Sequence, residues 1–371
     1  MQITGAVLEE LGRQGPYAET LPITLSQLEL DEPGAGEILV RIEVAGVCHS
    51  DLSVVNGSRP RPVPMLLGHE AAGIVEKLGE GVTDLRVGQR VVITFIPRCG
   101  SCEACAKDGL APCINGSASN TAGSLLSGGM RLHRQGQDVF HHLGASGFAD
   151  HAVVDRRSVV PVDEDVPARI AAVLGCAVLT GGGAVINAGR LKAGETIVVI
   201  GLGGVGMAAL LTALAHDGIH AIAVDARQDK LDLALTLGAE QAFLPQDLVT
   251  SGVHADLVVE AVGKSVAFES GLNVLAPGGR LVTVGLPAPD DLATVSPLTL
   301  VARGQSIIGS YLGSSIAERD IPIFVEMWRS GRLPLEQLVS AEIHLSDINR
   351  AMDDLGSGSA IRQLIIFDGK L

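Results

Sequence analysis

A glycine-rich turn between an apolar run and a helical pattern is the feature that most limits how this chain can fold. The run TIVVIGLGGVG places Gly201, Gly203 and Gly206 in the pattern G-x-G-x-x-G, directly after a predicted strand and opening a predicted helix. In that setting the first glycine permits the tight turn, the second lets a pyrophosphate approach the backbone, and the third lets helix and strand pack closely. The pattern predicts a unit that binds a dinucleotide.

The next predicted strand supplies the second half of this signature. The run AIAVDA carries Asp225 at its end, nineteen residues after Gly206. A carboxylate at that point accepts hydrogen bonds from a ribose hydroxyl and repels a 2′-phosphate, which favours NAD over NADP. Arg227 weakens the preference, because a nearby arginine tolerates the phosphate. We expect NAD as the cofactor, with Gly204 and Lys230 among its contacts.

Apolar strands and helical patterns alternate through the region around this turn. The predicted strands TIVVIG, AIAVDA, ADLVVEAV and GRLVTVG are separated by predicted helices at 204–216, 228–237 and 266–275. Such alternation indicates parallel βαβ units, because a strand that returns parallel to its neighbour needs a crossover connection. The sequence therefore predicts a parallel, doubly wound sheet of the Rossmann type.

The remainder of the chain has a different character. Short β runs separated by glycine and proline turns fill 26–47 and 63–95, while 114–148 is weakly periodic and is expected to be a loop. At 371 residues the chain is too long for one ordinary core. We predict an α/β protein with a partly open β-barrel catalytic domain and a cofactor domain, at residues 1–177 completed by 313–371 and at residues 178–312.

Four of the six cysteines lie inside fifteen residues, in the run RCGSCEACAKDGLAPC. Cys99, Cys102, Cys105 and Cys113 are separated by two, two and seven residues. In a reducing cytosol such a cluster indicates a metal site rather than disulfides. A ferredoxin-type iron–sulfur run has a third gap of three and then Cys-Pro, which this segment lacks. Four thiolates close a tetrahedron without an open position, so we predict a structural zinc in a lobe at 98–114.

The other two cysteines, Cys48 in GVCHSD and Cys176 in GCAVLTG, flank His69 in LLGHEAAG. Two thiolates and one imidazole make a three-ligand zinc site whose open fourth position can bind an alcohol oxygen and lower its pKa. Taken singly, buried cysteines usually behave as small hydrophobic residues, and a lone histidine is usually an ordinary polar residue. The assignment of this second zinc therefore depends on context.

The context comes from a resemblance. The run GHEAAGIVEKLGEGV at 68–82 resembles the zinc alcohol dehydrogenase signature G-H-E-x2-G-x5-G-x2-V at every fixed position, and it stands with GVCHSD, the four-cysteine lobe and GLGGVG in that family's order. Nearly the whole chain is similar to the zinc-containing medium-chain alcohol dehydrogenases. The excursion at 114–148, ending HHLGASGFADHAVV, resembles the longer, typically dimeric branch that includes classes I and III. The resemblance implies a GroES-like catalytic domain and a homodimer, with a tetramer as the alternative.

The resemblance also assigns roles around the second zinc. It implies that Cys48, His69 and Cys176 are the catalytic zinc ligands, and that Glu70 approaches the metal during ligand exchange. In the proton relay, Ser50 takes the alcohol proton, and Asp51 orients His69. For the cofactor, the resemblance places His49 and Arg362 near the pyrophosphate and Thr180 and Val205 against the nicotinamide. For the substrate, it places Phe95 and Leu143 along the pocket. Metal-bound imidazoles generally need such an orienting carboxylate.

One position departs from the family pattern. In many relatives the proton relay ends on a histidine five residues after the first zinc cysteine, and here that residue is Ser53. Serine does not store a proton near neutral pH, whereas histidine does. We expect the relay to end in solvent or on another group, with an altered pH profile.

The expected activity is the reversible oxidation of medium-chain aliphatic or aromatic primary alcohols to aldehydes, with hydride transfer to NAD and two zinc ions per chain. The closest rival is a thiol-dependent formaldehyde dehydrogenase. That enzyme's class brings an acid and an arginine to the pocket mouth, where this chain has Arg59 and Ser117. A rival of another class is a non-catalytic nucleotide-binding paralogue, against which all three zinc ligands and Ser50 are present.

Charge and hydropathy limit the kinds of partner that this chain is expected to have. A net charge of −15 argues against binding to nucleic acid or to an anionic membrane. The apolar run at 196–215 is long enough to span a bilayer, but its four glycines fit a buried strand, turn and helix better. The start MQITGAVLEELGRQG lacks the pattern of a signal peptide. We expect a cytoplasmic protein whose partner is a small alcohol or aldehyde.

Overall fold

The computed structural model describes residues 1–367, so the last residues of the predicted strand-like run RQLIIFDG lie outside the described part. The chain forms two compact units. The first comprises Met1–Lys107, Pro112–Cys176 and Val339–Leu371, and the second comprises Asp108–Ala111 and Ala177–Leu338.

The strands of the described residues are, in chain order, β1 (Gln2–Leu8), β2 (Ile23–Leu30), β3 (Glu37–Val47), β4 (Met65–Leu66), β5 (Ala71–Leu78), β6 (Arg90–Ile93), β7 (Leu132–Arg134), β8 (Gln137–Asp138), β9 (Phe140–His141), β10 (His151–Asp155), β11 (Val159–Pro161), β12 (Thr196–Ile200), β13 (His220–Val224), β14 (Gln241–Phe243), β15 (Ala255–Glu260), β16 (Leu275–Thr283), β17 (Ser306–Gly309), β18 (Ala341–Ile343) and β19 (Gln363–Ile366).

The α-helices of the same residues are, in chain order, α1 (Tyr17–Thr20), α2 (His49–Val55), α3 (Ile114–Ala122), α4 (Ala168–Val173), α5 (Leu179–Gly183), α6 (Gly204–Leu214), α7 (Gln228–Leu237), α8 (Pro245–Leu248), α9 (Ser265–Asn273), α10 (Pro297–Arg303), α11 (Ala317–Arg329) and α12 (Ile348–Gly356).

The first unit is built on two mostly antiparallel sheets, with strand orders β8-β7-β2-β1-β4-β9 and β11-β6-β5-β3-β19-β18. Strand β3 is the centre of the second sheet, since it pairs antiparallel with β5, β10 and β19. Its sequence EILVRIEVAGV is buried at almost every position, as expected for a strand covered on both faces. These sheets form the predicted partly open, GroES-like barrel, and β3 ends beside the candidate site.

The second unit is a parallel sheet with strand order β14-β13-β12-β15-β16-β17. Chain order places the first strand, β12, in the middle, and the chain winds outward on both sides, which is the doubly wound Rossmann arrangement. Gly201 has φ +89°, in the left-handed region that glycine adopts readily. A side chain at Gly206 would collide with the Gly201 carbonyl oxygen. The predicted Rossmann domain is confirmed.

The excursion at 114–148 is not the loop that its sequence suggested. It contains helix α3, which begins where the Cys113 sulfur accepts the Gly116 N–H at 3.3 Å and ends at Gly123 with φ +72°. It also contains β7, β8 and β9, which join the first sheet. The helix was missed because its sequence INGSASNTA is polar and weakly periodic, and a cysteine holds its first turn.

The predicted second boundary at residue 312 also differs from the structure, because 313–338 lies in the second unit. The Ser315 hydroxyl donates to the Leu179 carbonyl at 2.9 Å. The Asn187 amide donates to the buried carboxylate of Asp320 at 2.9 Å. These bonds tie the start of α11 to the helices that precede β12. Nothing in the local pattern after residue 312 signalled them.

Two apolar segments are long enough to raise the question of a membrane span. The run at 196–215 forms β12, the glycine turn and α6, as predicted. The helical run Ala168–Ala188 is long and apolar enough to cross a membrane by length and composition only, and 89% of its apolar window is buried inside the protein. Burial of that extent is typical of a core helix.

Candidate functional site

The first candidate zinc ligand lies where β3 runs into α2. Cys48 follows the last residue of β3 and caps the helix, with φ −121° and ψ 153°. The carboxylate of Asp51, one turn into the helix, accepts the Cys48 N–H through Oδ2 at 3.0 Å. Cys48 is 6% exposed and Asp51 is fully buried. The helix cap therefore fixes the thiol and the predicted orienting carboxylate relative to each other.

His69 reaches the same place from the turn after β4. Gly68 has φ +91°, and a Cβ there would lie 2.5 Å from the Phe148 backbone nitrogen, so glycine is required. Nδ1 of His69 lies 2.9 Å from Oδ1 of Asp51, and both side chains are buried. The carboxylate keeps the proton on Nδ1 and leaves the Nε2 lone pair available to a metal.

Cys176 comes from the helical run after the barrel, inside a π-helical turn at Leu174–Val178. A side chain at Gly175 would collide with the Ile93 carbonyl oxygen, so glycine lets the turn approach β6. Sγ of Cys176 lies 3.5 Å from Nε2 of His69. Local π-helical turns are frequent at functional sites, because they redirect a side chain without ending the helix.

Cys48, His69 and Cys176 converge as predicted. Their ligand atoms all lie within 4.8 Å of one another, and all three residues are buried. The hydrogen bond from Cys176 and the positive charge of Arg362 lower the pKa of the Cys48 thiol well below its usual value. Two sulfurs and one imidazole fit the donor set and size of a zinc site that keeps a position open.

Glu70 and Arg362 are a buried, oppositely charged pair next to these three candidate ligands. The Glu70 side chain lies over Gly46, where a Cβ would be 2.7 Å from Oε1. Nη1 of Arg362 lies 3.4 Å from Oε2 of Glu70 and donates to the Val47 carbonyl at 3.0 Å. Among the described residues neither Glu70 oxygen has a hydrogen-bond partner. Burial raises the pKa of Glu70 to about 7, against the opposing charge of Arg362. A buried carboxylate that has no hydrogen bond from the described residues, beside the three donors, is a further feature that fits a metal.

A second histidine, His142, which the sequence analysis did not single out, also faces Asp51. Its Nδ1 lies 3.1 Å from Oδ1 of Asp51, and its ring meets His69 edge-on with centroids 5.3 Å apart. Burial would raise the pKa of Asp51, but the charges and contacts of the two imidazoles lower that pKa to about 2. The available signal was the pair of histidines directly before Leu143, in HHLG.

The four-cysteine lobe also converges as predicted. The sulfurs of Cys99, Cys102, Cys105 and Cys113 lie within 4.8 Å of one another. Cys105 is 3.9 Å from Cys99 and 3.5 Å from Cys102, and Cys102 is 3.9 Å from Cys113. The Cys113 sulfur accepts backbone N–H groups from Cys99 and Gly116, both at 3.3 Å. Backbone N–H donors of this kind stabilise thiolates. Four thiolates fit a closed, structural zinc site.

The glycine turn of the second unit is held by the predicted acid. Oδ2 of Asp225 accepts the Leu202 N–H at 2.6 Å, and Oδ1 accepts the Arg227 N–H at 2.9 Å. The Arg227 guanidinium pairs with Asp229 at 2.8 Å. A Cβ on Gly203 would meet no atom within 4 Å, so the space in front of the turn is open. An open, glycine-lined helix start of this kind fits a dinucleotide pyrophosphate.

Thr180 and Val205 are brought together by close helix packing within the second unit. Gly181, next to Thr180 in α5, would collide with the Val205 carbonyl oxygen if it carried a side chain. Thr180 is buried and Val205 is half-buried. Lys230 is buried as well, and burial lowers the pKa of its amine against the opposing charge of Asp225.

The remaining predicted site residues are placed as follows. Phe95 is buried and meets the His69 ring edge-on, with centroids 5.3 Å apart, and Leu143 is also buried. Ser50 is half-buried in the first turn of α2, and His49 is exposed beside it. The Ser53 hydroxyl donates to the His49 carbonyl at 3.0 Å. Arg362 faces Glu70 inside the first unit, so its predicted cofactor contact stays a prediction.

Comparison with known proteins supplies the identity of the fold. Residues 34–164 match the alcohol dehydrogenase GroES-like domain, and residues 204–328 match the zinc-binding dehydrogenase family. The NDMA-dependent alcohol dehydrogenase of Amycolatopsis methanolica is 34% identical, over 99% of each chain. An alcohol dehydrogenase zinc-binding domain protein from Burkholderia ambifaria (31% identical, TM-score 0.91) and the benzyl alcohol dehydrogenase of Acinetobacter calcoaceticus (30% identical, TM-score 0.90) are similar solved structures, each matching over 99% of both chains.

A GroES-like domain with a buried Cys-His-Cys set, a four-cysteine lobe and a Rossmann domain define a zinc-binding dehydrogenase. This chain belongs to the zinc-dependent medium-chain alcohol dehydrogenase family. It is accordingly an oxidoreductase that uses zinc and a nicotinamide cofactor.

Proposed function

We propose that this chain catalyses the reversible oxidation of medium-chain aliphatic or aromatic primary alcohols to aldehydes, with NAD as the hydride acceptor. The observation that carries the proposal is the convergence of Cys48, His69 and Cys176 in a buried site with donor atoms within 4.8 Å. Three donors leave one coordination position for substrate, whereas the four-cysteine lobe leaves none. The proposal therefore includes two zinc ions of different kinds per chain.

In this proposal each side chain around the site has a separate role in the reaction. When bound, the zinc supplies a Lewis acid that lowers the pKa of an alcohol oxygen, and the cofactor accepts the hydride. Ser50, two residues after Cys48, takes the alcohol proton, and Asp51 fixes the ring of His69. Residue 53 is a serine, whose hydroxyl donates to the His49 carbonyl at 3.0 Å, so no imidazole receives the proton at that position. The proton then leaves through hydroxyl groups and water.

The cofactor preference rests on the second unit. Asp225 stands at the end of β13 and holds the glycine turn, where its charge disfavours a 2′-phosphate. Arg227, the cation that would tolerate a phosphate, is paired with Asp229 instead. In this proposal NAD also contacts a set of residues named from the family: His49, Thr180, Gly204, Val205, Lys230 and Arg362.

The substrate preference rests on apolar side chains near the metal ligands. Phe95 packs against His69, and both Phe95 and Leu143 are buried. Burying one methylene contributes about 0.8 kcal/mol, or about a fourfold gain in kcat/KM. The benzyl alcohol dehydrogenase of Acinetobacter calcoaceticus, 30% identical, adds support for an aromatic primary alcohol.

A substrate and acceptor panel tests the proposal. Zinc-loaded protein is assayed with ethanol through octanol and with benzyl alcohol, each with NAD, with NADP and with NDMA, the compound named for the Amycolatopsis relative. We expect kcat/KM to rise with chain length, to be high for benzyl alcohol and to favour NAD. A flat series that rises only when formaldehyde is supplied with a thiol would establish the thiol-dependent rival. No turnover with any pair would contradict the proposal and favour the non-catalytic rival.

We also propose a homodimer. Strand β17 is the edge of the parallel sheet, and the helix before it, α10, exposes Leu298 at 78% and Val301 at 83%. Exposed apolar side chains beside a sheet edge favour association. Sedimentation at micromolar concentration should give twice the chain mass of 38.3 kDa, and a monomer would contradict the proposal.

A further inference from the structure

Two buried imidazoles share one carboxylate oxygen beside the candidate zinc ligands. Nδ1 of His69 lies 2.9 Å from Oδ1 of Asp51, and Nδ1 of His142 lies 3.1 Å from the same atom. The exposed fractions of the three residues are 0%, 0% and 1%. Only His69 belongs to the proposed ligand set, so the second imidazole has no role in the chemistry described so far.

The loop after β9 holds His142 in this place. The backbone N–H of His142 donates to the Ser146 hydroxyl at 3.1 Å, and the His142 carbonyl accepts the N–H groups of Ala145 and Ser146 at 3.0 and 3.2 Å. The side chain meets His69 at an interplanar angle of 87°. Phe95 meets His69 at 84° with the same centroid separation of 5.3 Å. The metal-ligating ring is therefore packed edge-on against two other rings.

The nature of the contact between His142 and Asp51 follows from charge. The two atoms lie within hydrogen-bonding distance, but among the described residues Nδ1 of His142 has no partner in good hydrogen-bond geometry. A lone pair at 3.1 Å from a carboxylate oxygen would be repelled in a site that excludes water. The stable tautomer is therefore the one that carries its proton on Nδ1 and points that dipole toward Asp51.

We propose that His142 is a positioning residue for the candidate catalytic zinc, because its Nδ1–H restrains the Asp51 oxygen that orients His69. The inference rests on the proposed assignment of Cys48, His69 and Cys176 as zinc ligands. Asp51 is then held by Cys48 on Oδ2 and by two imidazoles on Oδ1. Removing the partner of a metal-bound imidazole typically costs 10- to 100-fold in metal affinity, and because His142 contacts that partner rather than the imidazole, we expect the lower end of this range.

Two substitutions separate the polar role from a packing role. His142→Phe keeps a ring beside His69 and removes the donor. His142→Asn removes the ring and keeps an amide N–H near the position of the imidazole Nδ1. His133→Asn is the matched control, since His133 pairs with Asp31 and Asp138 at the surface. Each protein is loaded with zinc, and release of the faster of its two ions to a chelating dye is timed.

We expect His142→Phe to release that ion about tenfold faster than wild type, and His142→Asn and His133→Asn to stay within about threefold of it. Cobalt-substituted His142→Phe should also show a shifted visible band, which reports the geometry of the metal. Release by His142→Phe at the wild-type rate overturns the proposal. Equally fast release by the Phe and Asn variants also overturns it, because the amide N–H retained in the Asn variant would then give no protection.

A measurement on the wild-type protein decides the matter if the Phe variant does not fold. Two-bond proton–nitrogen NMR spectra of histidine-labelled, zinc-loaded protein report the tautomer of each ring. A proton on Nδ1 of His142 supports the proposal, and a proton on Nε2 overturns it. Wild-type protein that binds only one zinc overturns the proposed function itself, and so is distinguished from failure of the His142 inference alone.

Discussion

Asp51→Asn should loosen the proposed catalytic zinc and destabilise the first unit together. Asp51 accepts two N–H donors through different oxygens, from Cys48 at 3.0 Å and from His69 at 2.9 Å. Asparagine offers one acceptor oxygen and one NH₂ group. Whichever way the amide is turned, one donor must face another donor in a buried site.

The magnitude follows from that single lost acceptor. A hydrogen bond to a charged partner is worth about 1.5–3 kcal/mol. In a domain of this size 1 kcal/mol corresponds to about 2–4 °C, so we expect Tm to fall by about 3–12 °C. Zinc affinity at the Cys48, His69 and Cys176 site should fall by about 10- to 100-fold. Thermal unfolding and timed release of zinc to a chelating dye measure the two effects.

Asp353→Asn provides the matched control. Asp353 lies in the same unit and accepts two backbone N–H groups through different oxygens, from Tyr17 at 2.7 Å and from Ala18 at 2.9 Å. It should lower Tm without changing zinc release. If Asp51→Asn retains zinc as well as wild type, or if Asp353→Asn releases it equally fast, the carboxylate is not what holds His69.

Three further predictions concern the lobe, the cofactor and pH. Cys176→Ser should abolish turnover with Tm nearly unchanged. Cys105→Ser should lower Tm and solubility, because the metal of a closed site contributes directly to folding. The reverse pattern would mean that the catalytic and structural assignments of the two sites must be exchanged. Asp225→Gly should raise kcat/KM for NADP relative to NAD by at least about tenfold, and wild-type kinetics that favour NADP would refute the role of this acid. Glu37 is buried with an Arg131 partner at 2.8 Å that, against the effect of burial, lowers its pKa. Glu37→Gln should therefore be less stable than wild type at pH 7. The difference in Tm should shrink as pH falls below about 4.5, because the unfolded wild-type chain takes up a proton there and the folded protein takes one up only at lower pH. A constant difference down to pH 3 would contradict this.

The cofactor domain could be predicted from the sequence because its signals are local. The run from Thr196 to Asp225 contains a strand, a turn of three spaced glycines, a helix and an acid, and each is recognisable within its own segment. Helix α7 was predicted at 228–237, and the structure gives Gln228–Leu237. The parallel sheet follows from repeating that unit, so the topology needed little information from distant residues.

The candidate catalytic site depends on contacts between distant segments, and there the sequence was less informative. The pairing of His142 with Asp51 joins the loop after β9 to the first turn of α2. No spacing rule relates those positions. The same holds for 313–338, which belongs to the second unit through the bonds of Ser315 and Asp320. Tertiary hydrogen bonds of single side chains leave no periodic pattern that a local analysis can detect.

Glycine does mark the site in the sequence, for a steric reason. Gly46 stands two residues before Cys48, Gly68 directly precedes His69, and Gly175 directly precedes Cys176. In each case a Cβ would press on a neighbour: the carboxylate of Glu70, the backbone of Phe148, and the carbonyl of Ile93. A buried metal site needs its ligand segments to approach more closely than side chains permit, and only glycine allows that approach. Three such glycines beside a Cys-His-Cys set are thus a physical consequence of assembling one site from a strand end, a turn and a helix.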